Sequence, residues 1–209
     1  MPARAVGGDF FDFIPLSEST LGIVIGDVSD KGVPAALFMA LTSNLLRAEA
    51  RRASSVSDAL RHVHRQLLEI NDAGMFVSLL YGVLNATTRE FRYARAGHEL
   101  PLLYDAQGEL VGLSYTDGQP LGAMDGILLD EQTVVLPSGS TVLLYTDGVT
   151  DVLDAQGNQF SLERLRQALS AQRSAPAQAI CDTLLDMTAA YRAATPQYDD
   201  ITLVAVRVK

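Results

Sequence analysis

The order in which the apolar periodicity changes constrains this fold more than any single residue. Residues 76–84 form an apolar run of β type, 85–89 read as a turn, and 90–94 alternate as a returning strand. Residues 100–104 and 110–113 flank a turn containing Gly108, a second expected hairpin. Residues 132–136 and 141–145 flank Pro137-Ser138-Gly139-Ser140, a third. Two helical runs precede these strands. Residues 35–52 are dense in Ala, Leu and Met, with Leu37, Leu41, Leu45 and Ala48 at helical spacing. Residues 58–70 follow a capping Ser57, with Leu60, Val63, Leu67 and Ile70 on one face. Two more helices are expected at 162–171, capped by Ser161, and at 177–194, before a closing strand at 201–208. Strands joined by hairpins make antiparallel sheets. Helices that come in pairs argue against an alternating parallel α/β fold. The expected class is α+β, a four-layer α-β-β-α sandwich of two mostly antiparallel sheets flanked by helix pairs. The 209 residues suffice for a core of that size in a single domain.

The stretch 7–40 organises the chemistry. Gly7-Gly8 turns the chain and delivers Asp9 to a short apolar strand, and a second strand at 21–25 leads to Asp27. A polar loop, Val28-Ser29-Asp30-Lys31-Gly32, follows, and Pro34 suits the first turn of a helix. Two neighbouring strands thus present two carboxylates at one sheet end, over a helix N-terminus. Such carboxylates repel unless a cation or proton is shared. Asp147 and Asp199, or Asp200 beside it, also stand where a strand meets a loop, and Asp151 lies just beyond Asp147-Gly148. An isolated aspartate there is usually a turn former, so only the set carries weight. An all-oxygen set suits Mg²⁺ or Mn²⁺. Zinc is disfavoured, because His62, His64 and His98 lack ligand spacing.

A formal net charge of −9 argues against nucleic acid as the main partner. With 48% apolar and 20% charged residues the chain is of globular type. A single cysteine, Cys181, allows no internal disulfide and fits a reducing compartment. Neither a membrane span nor a signal peptide is legible, so a cytoplasmic location is expected, including as the cytosolic piece of a membrane receptor.

GGDFFDF, GDVSDKGVPAALFMA, AGHELPLLY, LLYTDGVTD and DDITLVAV follow one another in that order. Together they resemble the SpoIIE-like branch of the metal-dependent protein serine/threonine phosphatases, the PPM superfamily. The resemblance runs from about Ala3 to Val208, and it is the order and spacing of the set that make it specific. It implies two divalent cations, Mn²⁺ or Mg²⁺, at one end of a sheet pair. Asp9 would bind one metal, Asp27 would bridge both, the Val28 carbonyl would complete a ligand set, and Asp147 and Asp199 would hold the other. Asp151 matches a third, weaker site and is as readily a turn or helix cap. The implied reaction is hydrolysis of phosphoserine or phosphothreonine by a metal-bridging hydroxide, with no cysteine or serine nucleophile. The implied substrate is a phosphorylated STAS-domain anti-sigma-factor antagonist in a partner-switching system. The first helix pair is a candidate homodimer surface.

Other residues have two readings. His98, in the AGH motif, either protonates the leaving oxygen or, three times more readily, makes a structural hydrogen bond in a tight bend. Lys31 and Arg4 are candidate phosphate contacts, against solvated loop positions. Asp200 orients its neighbours. Phe38, Met39 and Leu41 are read as core. Asp30 stands where the family commonly has glycine, and Ser138-Gly139-Ser140 replaces a common glycine–aspartate hairpin. The strand that the family carries before Arg4 is short or missing, as in a domain excised from a longer chain. A non-catalytic signalling module of the same fold is the alternative, disfavoured by the retained acidic set. A hydrolase of phosphodiesters or small phosphates is a third reading.

Overall fold

The computed structural model describes residues 1–3, 6–71, 73–172 and 174–209. The expected phosphate contact at Arg4 lies outside the described residues. The chain forms two compact units, one of Arg4–Glu99 and Ser114–Val135, the other of Met1–Ala3, Leu100–Leu113 and Leu136–Lys209.

The first unit is built on an antiparallel sheet. Its strands are β1 (Phe10–Pro15), β2 (Thr20–Val28), β3 (Val77–Asn85), β4 (Glu90–Ala96) and β6 (Asp130–Val135), in the order β1-β2-β3-β4-β6. Helices α1 (Val33–Glu49) and α2 (Val56–Ile70) cover one face. Val24, Val28, Leu79 and Tyr81 from the sheet meet Ala35, Phe38, Leu60, Val63 and Leu67 in one apolar core. Strand alternation puts Asp27, Ile25 and Ile23 on the opposite face from Val24 and Val28. The second unit is a three-stranded antiparallel sheet, β5 (Leu102–Tyr104), β7 (Thr141–Tyr145) and β8 (Leu203–Arg207), in the order β5-β7-β8. It packs with α3 (Ser161–Ala171) and α4 (Ala177–Arg192) around Leu143, Tyr145, Leu165, Ile180 and Leu184. Two antiparallel sheets and four helices in two pairs match the expected class.

Several local expectations are corrected. Residues 132–136 and 141–145 do not form a hairpin: β6 pairs with β4, and β7 pairs with β5 and β8. The expected return strand at 110–113 is reduced to a single bridge between Tyr104 and Leu110. The cap of α2 is Ser55, whose hydroxyl accepts the Asp58 N–H at 3.1 Å, and Ser57 lies inside the helix. Ser161 caps nothing with its side chain; it is the first residue of α3, at φ +70°. The buried stripe of α1 is Ala35, Phe38, Thr42 and Leu46, whereas Leu37 is 68% exposed. That helix is apolar around most of its circumference, so its spacing does not single out a face. Phe38, Met39 and Leu41 do belong to the core.

Candidate metal centre

In the first unit, β1 and β2 pair antiparallel with Phe10 opposite Gly26. Asp9 precedes β1 and Asp27 follows Gly26, so continuing that register by one step would set Asp9 opposite Asp27. Directly opposed residues of an antiparallel pair bring their Cβ atoms to within roughly 4.5–5.5 Å on one face. Asp27 lies inside β2, next to its last residue, because the strand runs further than the apolar run suggests. Gly8 belongs to the same cradle. A Cβ built on it would lie 3.0 Å from the Val28 carbonyl oxygen and 3.6 Å from the Ala35 Cβ in the first turn of α1. A side chain there would crowd that carbonyl. The loop after Val28 is pinned to the start of β3: Ser29 N–H donates to the Phe76 carbonyl, and Phe76 N–H donates to Ser29 Oγ. Asp30 sits at φ +69°, in the left-handed region that favours glycine and that aspartate tolerates better than most residues. Lys31 is half-buried beside it.

In the second unit, β7 runs into a single 3₁₀ turn, Asp147–Val149. A Cβ on Gly148 would meet the Asp200 carbonyl oxygen at 1.9 Å and the Asp199 Cβ at 3.3 Å. Glycine here lets the Asp147 turn lie directly against the Asp199-Asp200 backbone. The Asp200 carboxylate accepts the Ala3 N–H, and the Asp200 N–H donates to Asp199 Oδ1. These bonds tie Asp200 to Ala3 and to its neighbour Asp199. Asp151 donates its N–H to the Asp147 carbonyl and accepts from Gln159 through Oδ1. It shares a cleft of about 130 Å³ with Asp199, Gly148, Arg192 and Tyr198.

The three histidines occupy unrelated settings. His62 pairs with Glu49 and Asp58 at the surface, His64 is buried and accepts the Gly122 N–H, and His98 is hydrogen-bonded to Ser78 at 2.9 Å. The His98 bond is made from a bend just after β4. Ser78 was invisible to sequence reasoning: nothing marks it until the strand register places it opposite Asp27. Among the described residues, no group of three or more His, Cys, Asp or Glu side chains is gathered as a metal cage. Of the expected ligands, Asp9 and Asp27 belong to the first unit and Asp147 and Asp199 to the second. Their chemistry, all hard oxygen with a backbone carbonyl kept open by Gly8, fits Mg²⁺ or Mn²⁺.

Two antiparallel sheets, each with a helix pair and with aspartates at its strand ends, define the α+β fold of the PPM phosphatases. The SiaA-PP2C domain of Pseudomonas aeruginosa has this fold, with a TM-score of 0.84, 24% identity and coverage of 100% of this chain and 83% of that one. The chain belongs to the SpoIIE family: the model for Stage II sporulation protein E matches residues 17–209. Protein IcfG from Synechocystis sp. is 31% identical over 98% of this chain and 36% of its own length. Phosphoserine phosphatase RsbU from Bacillus subtilis is 28% identical over 100% of this chain and 62% of its own. The chain thus spans between about a third and two thirds of these relatives. RsbX, whose structure is known in complex with magnesium, shares the fold with a TM-score of 0.68 at 20% identity, over 97% of this chain and 87% of that one. Among the described residues, no helix is long and apolar enough to cross a membrane.

Proposed function

We propose that this chain acts as a single phosphatase domain that hydrolyses phosphoserine or phosphothreonine on a regulatory protein, with two divalent cations, Mn²⁺ or Mg²⁺. The carrying observation is that the β1–β2 register ends at Phe10 opposite Gly26, which brings the next residues, Asp9 and Asp27, to one sheet end beside the Val28 carbonyl that a side chain on Gly8 would crowd. Membership of a family whose relative RsbU is a phosphoserine phosphatase supports the same reading.

Asp9, Asp27 and the Val28 carbonyl are the proposed ligands from the first unit, and Asp147 and Asp199 those from the second, with Asp151 a candidate for a weaker site. Bound cations of this type supply a water that loses its proton near neutral pH and offset charge on the phosphoryl oxygens. The residues themselves do the rest. Asp9 and Asp27 flank one end of the β1–β2 pair, and the Asp200 N–H, donating to Asp199 Oδ1, orients that carboxylate. The buried Val28 keeps its carbonyl fixed at the end of β2. The substrate proposed is a phosphorylated STAS-domain protein in a partner-switching system, in keeping with the kinship to RsbU. A homodimer through the first helix pair is proposed with it, and the exposed Val33 and Leu37 on α1 supply an apolar surface for one.

The test is hydrolysis of an aryl phosphate and of a phosphorylated STAS protein by metal-stripped chain, with and without Mn²⁺. Turnover of both that returns only with metal is expected. Asp27→Ala and Asp147→Ala should abolish turnover while leaving a folded protein by circular dichroism. Full activity in either variant, or activity that persists in excess chelator, overturns the ligand assignment.

A further inference from the structure

The β2–β3 register opposes Asp27 to Ser78 of β3, on the side of β2 away from β1. Ser78 Oγ lies 2.9 Å from His98 Nδ1. His98 is only 5% exposed, although it belongs to a bend and not to a strand. A buried ion pair holds that bend in place. Arg95 Nη1 donates to the His98 carbonyl, while its Nε donates to Asp130 Oδ2 at 2.9 Å. Asp130 is 0% exposed, and its other oxygen accepts from Gln132 at 2.7 Å and Thr116 at 3.3 Å. Buried ion pairs are poor sources of stability, because desolvation offsets most of their attraction. A fully bonded pair whose guanidinium grips the backbone of one bend is better understood as a fixture for what that bend carries.

We propose that Ser78 and His98 are positioning residues for Asp27: the imidazole donates from Nδ1 to Ser78 Oγ, which directs the hydroxyl proton toward the carboxylate across the strand pair. A carboxylate held in this way keeps one oxygen turned in a fixed direction and presents the other to a cation. Hydrogen bonds to a ligating carboxylate commonly change metal affinity or activity by 10–100-fold. This inference rests on the reading of Asp27 as a metal ligand. It assigns two residues that the ligand set does not include.

The test is calorimetric Mn²⁺ titration of the full metal-stripped chain, run beside aryl phosphate kinetics. Ser78→Ala should weaken Mn²⁺ binding by about tenfold or more, and lower kcat with little change in KM. Ser78→Thr, which keeps the hydroxyl on a strand residue, should restore binding to near the parent value. His98→Asn, which retains an amide donor close to the place of Nδ1, should fall between the two. Thermal unfolding of each variant controls for the fold. Ser78→Ala that binds Mn²⁺ within twofold of the parent overturns the proposal, and so does Ser78→Thr that is as weak as Ser78→Ala. If the parent chain itself binds no Mn²⁺, the metal reading fails first and carries this proposal with it.

Discussion

Gly148 shows how one missing Cβ sets a site. With the Asp200 carbonyl 1.9 Å from where that Cβ would stand, Gly148→Ala must push the Asp147 turn away from the Asp199-Asp200 backbone. A backbone contact cannot rotate aside, so a cost at or above the ~1–3 kcal/mol of ordinary overpacking is expected. Mn²⁺ affinity measured by calorimetry should fall together with the melting temperature. His64 gives a pH prediction. Burial holds its imidazole below the usual histidine range, against a weaker opposite pull from Asp125. Nδ1 accepts the Gly122 N–H, which leaves the proton on Nε2, a buried atom with no partner among the described residues. The folded chain therefore binds a second proton there less readily than the unfolded chain. The stability from the neutral ring is fully present above the unfolded pKa, about 6.5. It is lost as pH falls from there through the lower folded value. Melting curves should show that loss, and His64→Gln should flatten it. Asp9, Asp27 and Asp147 stand out as candidates in the sequence because each is next to a glycine. Ser78 does not, because a serine inside an apolar strand gains meaning only from its cross-strand neighbours.

At the level of elements, α2 is the most fully specified helix. Ser55 accepts the Asp58 N–H, and Asp58 in turn accepts from the Ser54 N–H and hydroxyl, which helps to hold its carboxyl below the usual range. Ser55→Ala should cost about 1 kcal/mol, and Ser57→Ala should leave the cap intact; chemical denaturation of both variants distinguishes them. The sequence suggested the opposite serine because 54–57 offers three serines in four positions and an apolar period that begins one turn later than the helix. The failed hairpin between β6 and β7 has a comparable origin. Pro137-Ser138-Gly139-Ser140 has turn composition, and composition reports that the chain bends without reporting which strand it then pairs with. Gly139 does adopt φ +86°, but its N–H donates to the Val208 carbonyl beyond β8, not across to β6.

For the whole molecule, metal binding should appear as stability. A cation that binds only the folded chain adds about 2.7 kcal/mol at one hundred times its dissociation constant. For a chain of this length that is a rise of several degrees in melting temperature, measurable on adding Mn²⁺ and reversed by chelator. A melting temperature that ignores Mn²⁺ at every concentration would count against the cation reading. The sequence by itself determined the class of the fold, since hairpin-spaced β runs and paired helices leave few other arrangements. It also pointed to a candidate acidic set at strand ends, with glycine beside Asp9, Asp27 and Asp147 as the local feature. Only the tertiary structure decided which sheet each strand enters, which face of α1 is buried, and which residue stands across from Asp27. Those depend on pairing between segments distant in the chain, and no local period or turn composition encodes a partner.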